Sequence, residues 1–222
     1  EHEFLKREYG KSGFKVLDDC FMISKERTEE FCRKLIARNL NLTWGAETRV
    51  NLIPMHEALL PLMKQAGLIQ LDFGLETGSP RLLVAINKKT KIEQAIALFD
   101  ICRAHGIRTY ANLLFNLPGE TEKDLKYTEK LIERLRPTVV GCGITVPLYG
   151  TAIYRNHVNP QLTTDEYELY NRNCYEEIVD PRFKFAAHDV DLTPIVRGLN
   201  NRYSAARTLT NPPGYLRKII FF

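Results

Sequence analysis

Four short stretches gather carboxylates, hydroxyls and glycines at positions where ordinary strands would end: Asp18-Asp19 in FKVLDD, Glu76 and Ser79 in LDFGLETGSP, Asn116 to Thr121 in NLPGET, and Thr145 to Thr151 in TVPLYGT. Asp18 and Asp19 can take a cation, an ammonium group or a metal. Equally, Asp19 or Ser24 can cap the helix that follows. The Glu76 carboxylate can accept both hydroxyls of a ribose. Ser79 stands at a helix N-terminus, which suits a carboxylate or phosphate, and it also reads as a plain N-cap with Pro80 at the first helical position. NLPGET reads as a tight turn into a helix, with Glu120 or Thr121 assisting the cap. Pro147 and Gly150-Thr151 leave backbone groups unpaired, and an adenine ring can hydrogen-bond there.

Other chemistry-bearing residues are scattered. His2, His56, His105, His157 and His188 have no metal-ligand spacing, and His105 reads as a partner of a helix C-terminus. Trp44 and Phe73 read as core. The five cysteines, Cys20, Cys32, Cys102, Cys142 and Cys174, lie far apart, without zinc-knuckle or redox-pair spacing. They read as free thiols of a reducing compartment. No Ser/His/Asp arrangement or phosphate loop is present, so no catalytic residue and no metal ligand is singled out.

The elements that must position these groups repeat as strand then helix. FKVLDD is a strand (Phe14 to Asp19), and SKERTEEFCRKLIARNL has apolar residues at helical spacing with Ser24 as N-cap. NLTWGAETR is a second strand ending at Arg49, and MHEALLPLMKQAG a helix closed by Gly67. The strand before Glu76 leads to SPRLLVAI, and a helix runs from Lys91 to His105. IRTYANLLFNLPGE is the next strand, TEKDLKYTEKLIERLRP a helix opened by Thr121, and TVVGCGITVPL the fifth strand. Five βα units without hairpin signals require parallel strands. Polar ends on all five favour a barrel mouth over the single switch point of a doubly wound sheet. After Thr151 the pattern changes: GTAIYRNHV, TTDEYELYNRNCYEEIV, RGLNNRYSAARTL and PPGYLRKIIFF read as helices or helical starts.

The bulk numbers fit an ordinary soluble globule: 222 residues, 44% hydrophobic, 26% charged, net charge +4. No run approaches the ~18–20 apolar residues of a membrane span. EHEFLKREYG lacks the apolar centre of a signal peptide, so the expected location is cytoplasmic. The basic residues are dispersed, which gives no clear nucleic-acid signal.

Taken in order, FKVLDDCF, LTWGAETRVN, LIQLDFGLETGSPRLLVAINK, NLLFNLPGETEKDLKYT and ITVPLYGTAIY resemble the successive strand-end motifs of the radical S-adenosylmethionine (SAM) superfamily. The branch most resembled often carries a cobalamin-binding domain upstream. The resemblance covers Phe14 to Tyr154 and extends weakly to RYSAARTLTNPPGYLRKI. It implies an α/β fold, a partial (β/α)6-type TIM-like barrel with its first βα unit missing, plus C-terminal helices. The expected domains are an incomplete barrel over 1–154 and a truncated helical extension over 155–222. Asp18 and Asp19 match the acidic strand end near the SAM amino group, and Arg49 the basic residue ending the next strand. Glu76 and Ser79 match the motif near ribose and carboxylate. Leu113 to Asn116, Leu114 among them, match the segment bordering the adenine, and Val146 and Pro147 the adenine-side backbone.

Two departures accompany the resemblance. Asn116 stands where the family commonly has Gly. The family's C-x3-C-x2-C loop, which holds a [4Fe–4S] cluster, is not reproduced by any of the five cysteines. The implied cofactors are therefore SAM here, the cluster in a longer parent only, and cobalamin through a domain outside this chain. The chain is expected to be a fragment, inactive alone, whose partners are the parent's missing N-terminal segment and a small-molecule substrate of unknown identity. The parent would cleave SAM reductively to a 5′-deoxyadenosyl radical or carry out cobalamin-dependent methyl transfer. Two alternatives stand beside this: a non-radical barrel lyase or hydrolase with Glu76 or Asp19 as general base, which needs a metal or a lysine at the mouth and has Lys88-Lys89 as the only basic pair nearby, and a non-catalytic scaffold remnant.

Overall fold

Alternation along the strands decides which side of the sheet each residue serves. A computed structural model describes residues 2–52, 57–145, 148, 150–158, 162–166, 168 and 184–210. In chain order the elements are α1 (His2–Tyr9), β1 (Gly13–Val16), α2 (Lys25–Ala37), β2 (Thr43–Thr48), α3 (Leu60–Gln65), β3 (Leu68–Glu76), α4 (Pro80–Ala85), α5 (Ile92–Ala104), β4 (Arg108–Phe115), α6 (Glu122–Leu135), β5 (Val139–Ile144), α7 (Ala152–His157) and α8 (Leu192–Thr210). Short 3-10 turns occupy Phe21–Ile23, Val50–Leu52 and Glu57–Leu59.

The start signals read from the sequence are those used. The Ser24 hydroxyl accepts from the Arg27 N–H at the start of α2, and Ser79 accepts from Leu82 N–H with Pro80 opening α4. Thr121 and Asp124 form a reciprocal capping box on α6. The first strand stops at Val16, so Asp18 and Asp19 lie in the loop beyond it. Most of TTDEYELYNRNCYEEIV, and all of PPGYLRKIIFF, fall outside the described residues.

The strands pair in parallel in the order β1-β2-β3-β4-β5. A doubly wound sheet would reverse its order at a switch point; this one does not. The apolar layer sits on one face. Phe14 stacks on Trp44, which meets Phe31 of α2 edge-on at 5.2 Å, and Phe73 packs on Phe99 of α5 at 5.3 Å. Leu192 and Val196 of α8 join the same core. The Asn200 carboxamide of α8 donates to the Cys142 carbonyl at 3.0 Å and accepts from its N–H at 2.8 Å, which satisfies part of the open edge of β5. The result is an α/β half-barrel: five curled parallel strands with a helical outer layer.

Candidate functional site

Residues alternating with that apolar layer lie on the concave face. Lys15, Glu47, Gln70 and Asp72 form its lower floor. Lys15 Nζ lies 2.7 Å from Glu47 Oε1 and 2.9 Å from Asp72 Oδ2, and Gln70 Nε2 donates to Asp72 Oδ1 at 2.8 Å. Burial pulls the Lys15 ammonium down, but hydrogen bonds to Glu47 and Asp72 outweigh it, and its pKa stands above the usual 10.5. Farther along the strands, Gly74 and Gly141 flank Asn112 in register. The space that a side chain would take is filled at Gly141 by the Tyr110 ring and hydroxyl, and at Gly74 by the tips of Glu76 and Lys88.

Glu76 closes β3. Its φ of +64° is left-handed, a conformation that costs a non-glycine residue about 1 kcal/mol or more. The β3–β4 register shifts between Gly74 and Glu76. Lys88 Nζ sits 2.6 Å from Glu76 Oε1, and each side chain is 20% exposed. A Cβ on Gly74 would stand 2.7 Å from that oxygen and 3.0 Å from Lys88 Nζ.

Three residues later the same loop turns inward. Ser79 is fully buried, and its hydroxyl donates to Asp124 Oδ1 at 2.5 Å while capping α4. A Cβ on Gly78 would collide with the backbone of Tyr127 and Thr128, so only glycine lets this loop cross α6. Thr128 Oγ1 accepts from Gly78 N–H at 2.9 Å. Asp124 also receives Arg81 and both the N–H and hydroxyl of Thr121. Burial would raise the Asp124 carboxyl; hydrogen bonds from Ser79, Thr121 and Arg81 reverse that and take it down to about 2.

The remaining expected site residues separate. Asp18 Oδ2 is 2.5 Å from Arg27 Nη2, a largely exposed pair. Asp19 and Arg49 are exposed beyond the ends of β1 and β2. Leu114 is half-buried on β4, adjoining the Leu113 position that pairs with Glu76. Asn116 is buried, with φ +63°, and its Oδ1 accepts from Phe185 and Ala186 N–H at 2.8 and 3.1 Å. The Ser79 hydroxyl and the Asn116 carboxamide therefore brace the loops behind the mouth. Val146 and Pro147 lie outside the described residues.

Lys15, Glu47 and Asp72 were not singled out as site residues from the sequence, and Lys88 only as half of the Lys88-Lys89 pair that a barrel lyase or hydrolase would need. A signal for the first three was present: parallel strands buried on both faces read as continuous apolar runs, whereas a polar residue alternates with apolar ones in FKV, AET and QLDF. The ordering of Lys88 over Gly74 depends on a turn that pattern does not reveal. A groove of about 430 Å³ lies elsewhere, floored by Leu125, Ile132, Ile195 and Leu199 between α6 and α8, and none of the expected site residues lines it.

This architecture has known counterparts. The chain matches the radical SAM superfamily over residues 6–132. It is 30% identical over 171 residues to the anaerobic magnesium-protoporphyrin IX monomethyl ester cyclase of Rubrivivax gelatinosus, covering 77% of this chain and 31% of that protein. It is 28% identical to an uncharacterized methyltransferase of Pyrococcus horikoshii, covering 77% of this chain and 37% of that one. Among solved structures, the radical SAM methyltransferase TsrM of Kitasatospora setae, with cobalamin and a [4Fe-4S] cluster bound, superposes with a TM-score of 0.62 at 17% identity, over 96% of this chain and 45% of that one. That likeness shows the fold. The chain belongs to the radical SAM superfamily. It spans about a third of the length of the curated relatives it matches.

Family membership implies SAM and a [4Fe–4S] cluster as cofactors. The residues fit the two differently. For SAM the donor set is suitable: Glu76 offers a partly exposed carboxylate at the C-terminal end of β3. For the cluster, no such donor set stands among the described residues. Such clusters need grouped thiolates, yet Cys32, Cys102 and Cys142 are buried. Burial pushes the Cys32 and Cys102 thiols up to about 12. Among the described residues no group of three His, Cys, Asp or Glu side chains can hold a metal.

Proposed function

We propose that this chain binds SAM at the mouth of the half-barrel, with the Glu76 carboxylate accepting the ribose hydroxyls. The observation that carries this reading is Glu76 itself: an acidic residue in left-handed conformation, turned over a glycine floor at the C-terminal end of the central strand. C-terminal strand ends are where parallel barrels gather their chemistry. Leu114, on the neighbouring strand, is the proposed apolar border of the adenine, with Val146 and Pro147 supplying backbone on its other side. Asp18, Asp19 and Arg49 are proposed for the amino-acid end. Ser79 and Asn116 enter the proposal through the loops they brace.

SAM supplies a methyl group or, after reductive cleavage, a 5′-deoxyadenosyl group. Either outcome is proposed for the whole protein, with cobalamin held by a further domain, and no such step is derived from the residues of this chain. These residues bind and orient: Glu76 fixes the ribose, and the Lys15–Glu47–Asp72 floor carries charge beneath it. The division into a barrel over 1–154 and a helical extension over 155–222 belongs to the same proposal, as does a small-molecule substrate. Among the described residues no helix is long and apolar enough to cross a membrane, and a cytoplasmic setting is proposed with the free thiols in support.

Isothermal titration of this chain with SAM tests the reading. Saturable binding that Glu76→Gln weakens about tenfold, the scale of one charge-assisted hydrogen bond, is the expected result. No binding by the wild-type chain at millimolar SAM would overturn it.

A further inference from the structure

The groove between α6 and α8 belongs to the helical outer layer, and it combines an apolar floor with an acidic rim. We propose that it is a docking site for residues 215–222 of the same chain, YLRKIIFF, with their apolar residues on its floor and Arg217 and Lys218 against Glu129 and Glu133 of α6.

Three observations carry this. The first is the floor, a row of apolar side chains that the core leaves half covered. Leu125 of α6 and Ile195, Leu199 and Tyr203 of α8 pack on the buried core yet remain partly exposed. On α8 they recur every fourth residue, the spacing that aligns side chains along one face of a helix. Gly198 also lines the groove, and a Cβ there would meet nothing within 4 Å among the described residues. Glycine weakens a helix interior. What it gives instead is a bare stretch of α8 backbone that another chain segment can approach.

The second observation is the rim. On α2, Glu29 and Glu30 each meet a basic residue four positions on. On α6 the residue four positions after Glu129 is Glu133, a spacing at which like charges repel. Both are exposed and line the groove, and among the described residues neither has an ion-pair partner. Lys126 and Arg202 share the rim without pairing to them. A cation set between the two glutamates relieves their repulsion.

The third observation is the sequence that follows α8. The helix ends at Thr210, and residues 211–222 lie outside the described residues. Their sequence opens with Asn-Pro-Pro-Gly, which does not continue a helix. It goes on to an Arg-Lys pair set among Tyr, Leu, two Ile and two Phe. The apolar floor and the acidic rim thus have a stretch of matching chemistry in the same chain. It is also within reach. Gly198 stands twelve residues before Thr210, ~18 Å along a helix, and twelve extended residues span ~40 Å.

The test is hydrogen exchange of the full chain, read by mass spectrometry over residues 215–222. The wild-type amides there should exchange about tenfold slower than those of a free peptide of the same sequence. Gly198→Leu fills the groove from a position that meets no neighbour, and should remove that protection while the thermal midpoint holds or rises. Glu129→Lys combined with Glu133→Lys should remove it too. Adding Arg217→Glu and Lys218→Glu to that variant should bring most of it back, because the charges then pair the other way round. Lys123→Glu, a charge reversal on α6 outside the groove, should change nothing. Exchange at the free-peptide rate in the wild type would overturn the proposal. So would protection that survives Gly198→Leu, which would seat the stretch elsewhere. Protection that grows over about a tenfold rise in protein concentration would assign the groove to a second copy and overturn docking within one chain. An equal response to Lys123→Glu would leave net charge as the cause and overturn the role of the rim. Should Gly198→Leu not fold, the charge exchange between α6 and residues 217 and 218 decides the matter.

Discussion

The two sides of one loop, residues 76 to 79, use the same residue types for opposite ends. Glu76 and Lys88 form a single pair on the concave face, a fifth exposed. Behind them Ser79, Thr77, Thr128, Asp124, Asn116 and Glu120 are buried, and each is hydrogen-bonded to a neighbour. The difference lies in how many donors meet each carboxylate. Asp124 collects Ser79, Thr121 and Arg81 and is taken down to about 2 in spite of burial. Glu120 is raised to about 7, first by burial, since backbone N–H groups of Asn116 and Leu117 compensate less and Asp124 adds repulsion. A buried carboxylate with four donors is architecture; one on an open face with a single partner has capacity left for a ligand.

If that contrast is right, the largest loss of stability comes from the buried side. Asp124→Ala should cost about 3 kcal/mol in urea unfolding, because Arg81 and the Ser79 and Thr121 donors lose a shared buried acceptor. SAM affinity of the folded fraction should stay near wild type. A small stability loss with a large affinity loss would reverse the contrast. Lys15→Met comes next, at about 2 kcal/mol, since Glu47 and buried Asp72 would face each other without their cation. This deeper part of the concave face thus behaves as frame, and an unchanged urea midpoint would show that the floor carries no structural load.

Much of this frame was legible in the sequence. Caps at Ser24, Ser79 and Thr121, the five parallel strands and the barrel-like arrangement follow from local chemistry and period, and the structure has them. The partners of the strand-end groups were not legible, for a physical reason. Ser79 meets Asp124 across 45 residues and Asn116 meets Phe185 and Ala186 across 69 and 70, and no local pattern encodes such distant bonds. Asp18 illustrates the reverse case: its partner Arg27 stands only nine residues on, in an exposed pair.

Glu120 gives a prediction in pH, with a steepest slope of about 1.4 kcal/mol per pH unit. Its folded pKa lies above the usual 4.5. The associated stabilisation is fully present below that value and is lost as pH rises through about 7. His188 Nε2, 3.6 Å away, works in the other direction: burial first, then Lys184, lowers its pKa below 6.5, so its contribution is lost on acidification. Glu120→Gln removes the first limb alone. The variant should gain on wild type in urea midpoint from pH 5 to about pH 7 and level off above that, and a gap independent of pH would contradict the assignment.

Asn116→Gly carries the smallest effect, because two terms oppose. Removing the carboxamide leaves the Phe185 and Ala186 N–H groups without their acceptor, at about 2 kcal/mol. Glycine at φ +63° recovers about 1 kcal/mol of left-handed strain. The net loss should be about 1 kcal/mol in urea unfolding, with faster hydrogen exchange at the Phe185 and Ala186 amides. Asn116→Ala loses the acceptor and keeps the strain, so it should cost more than Asn116→Gly. If neither variant loses stability, the carboxamide does not fasten residues 184–190 to the end of β4. That end would then be free to serve a ligand, as proposed for Glu76, and the contrast between the two sides of the loop would fail there.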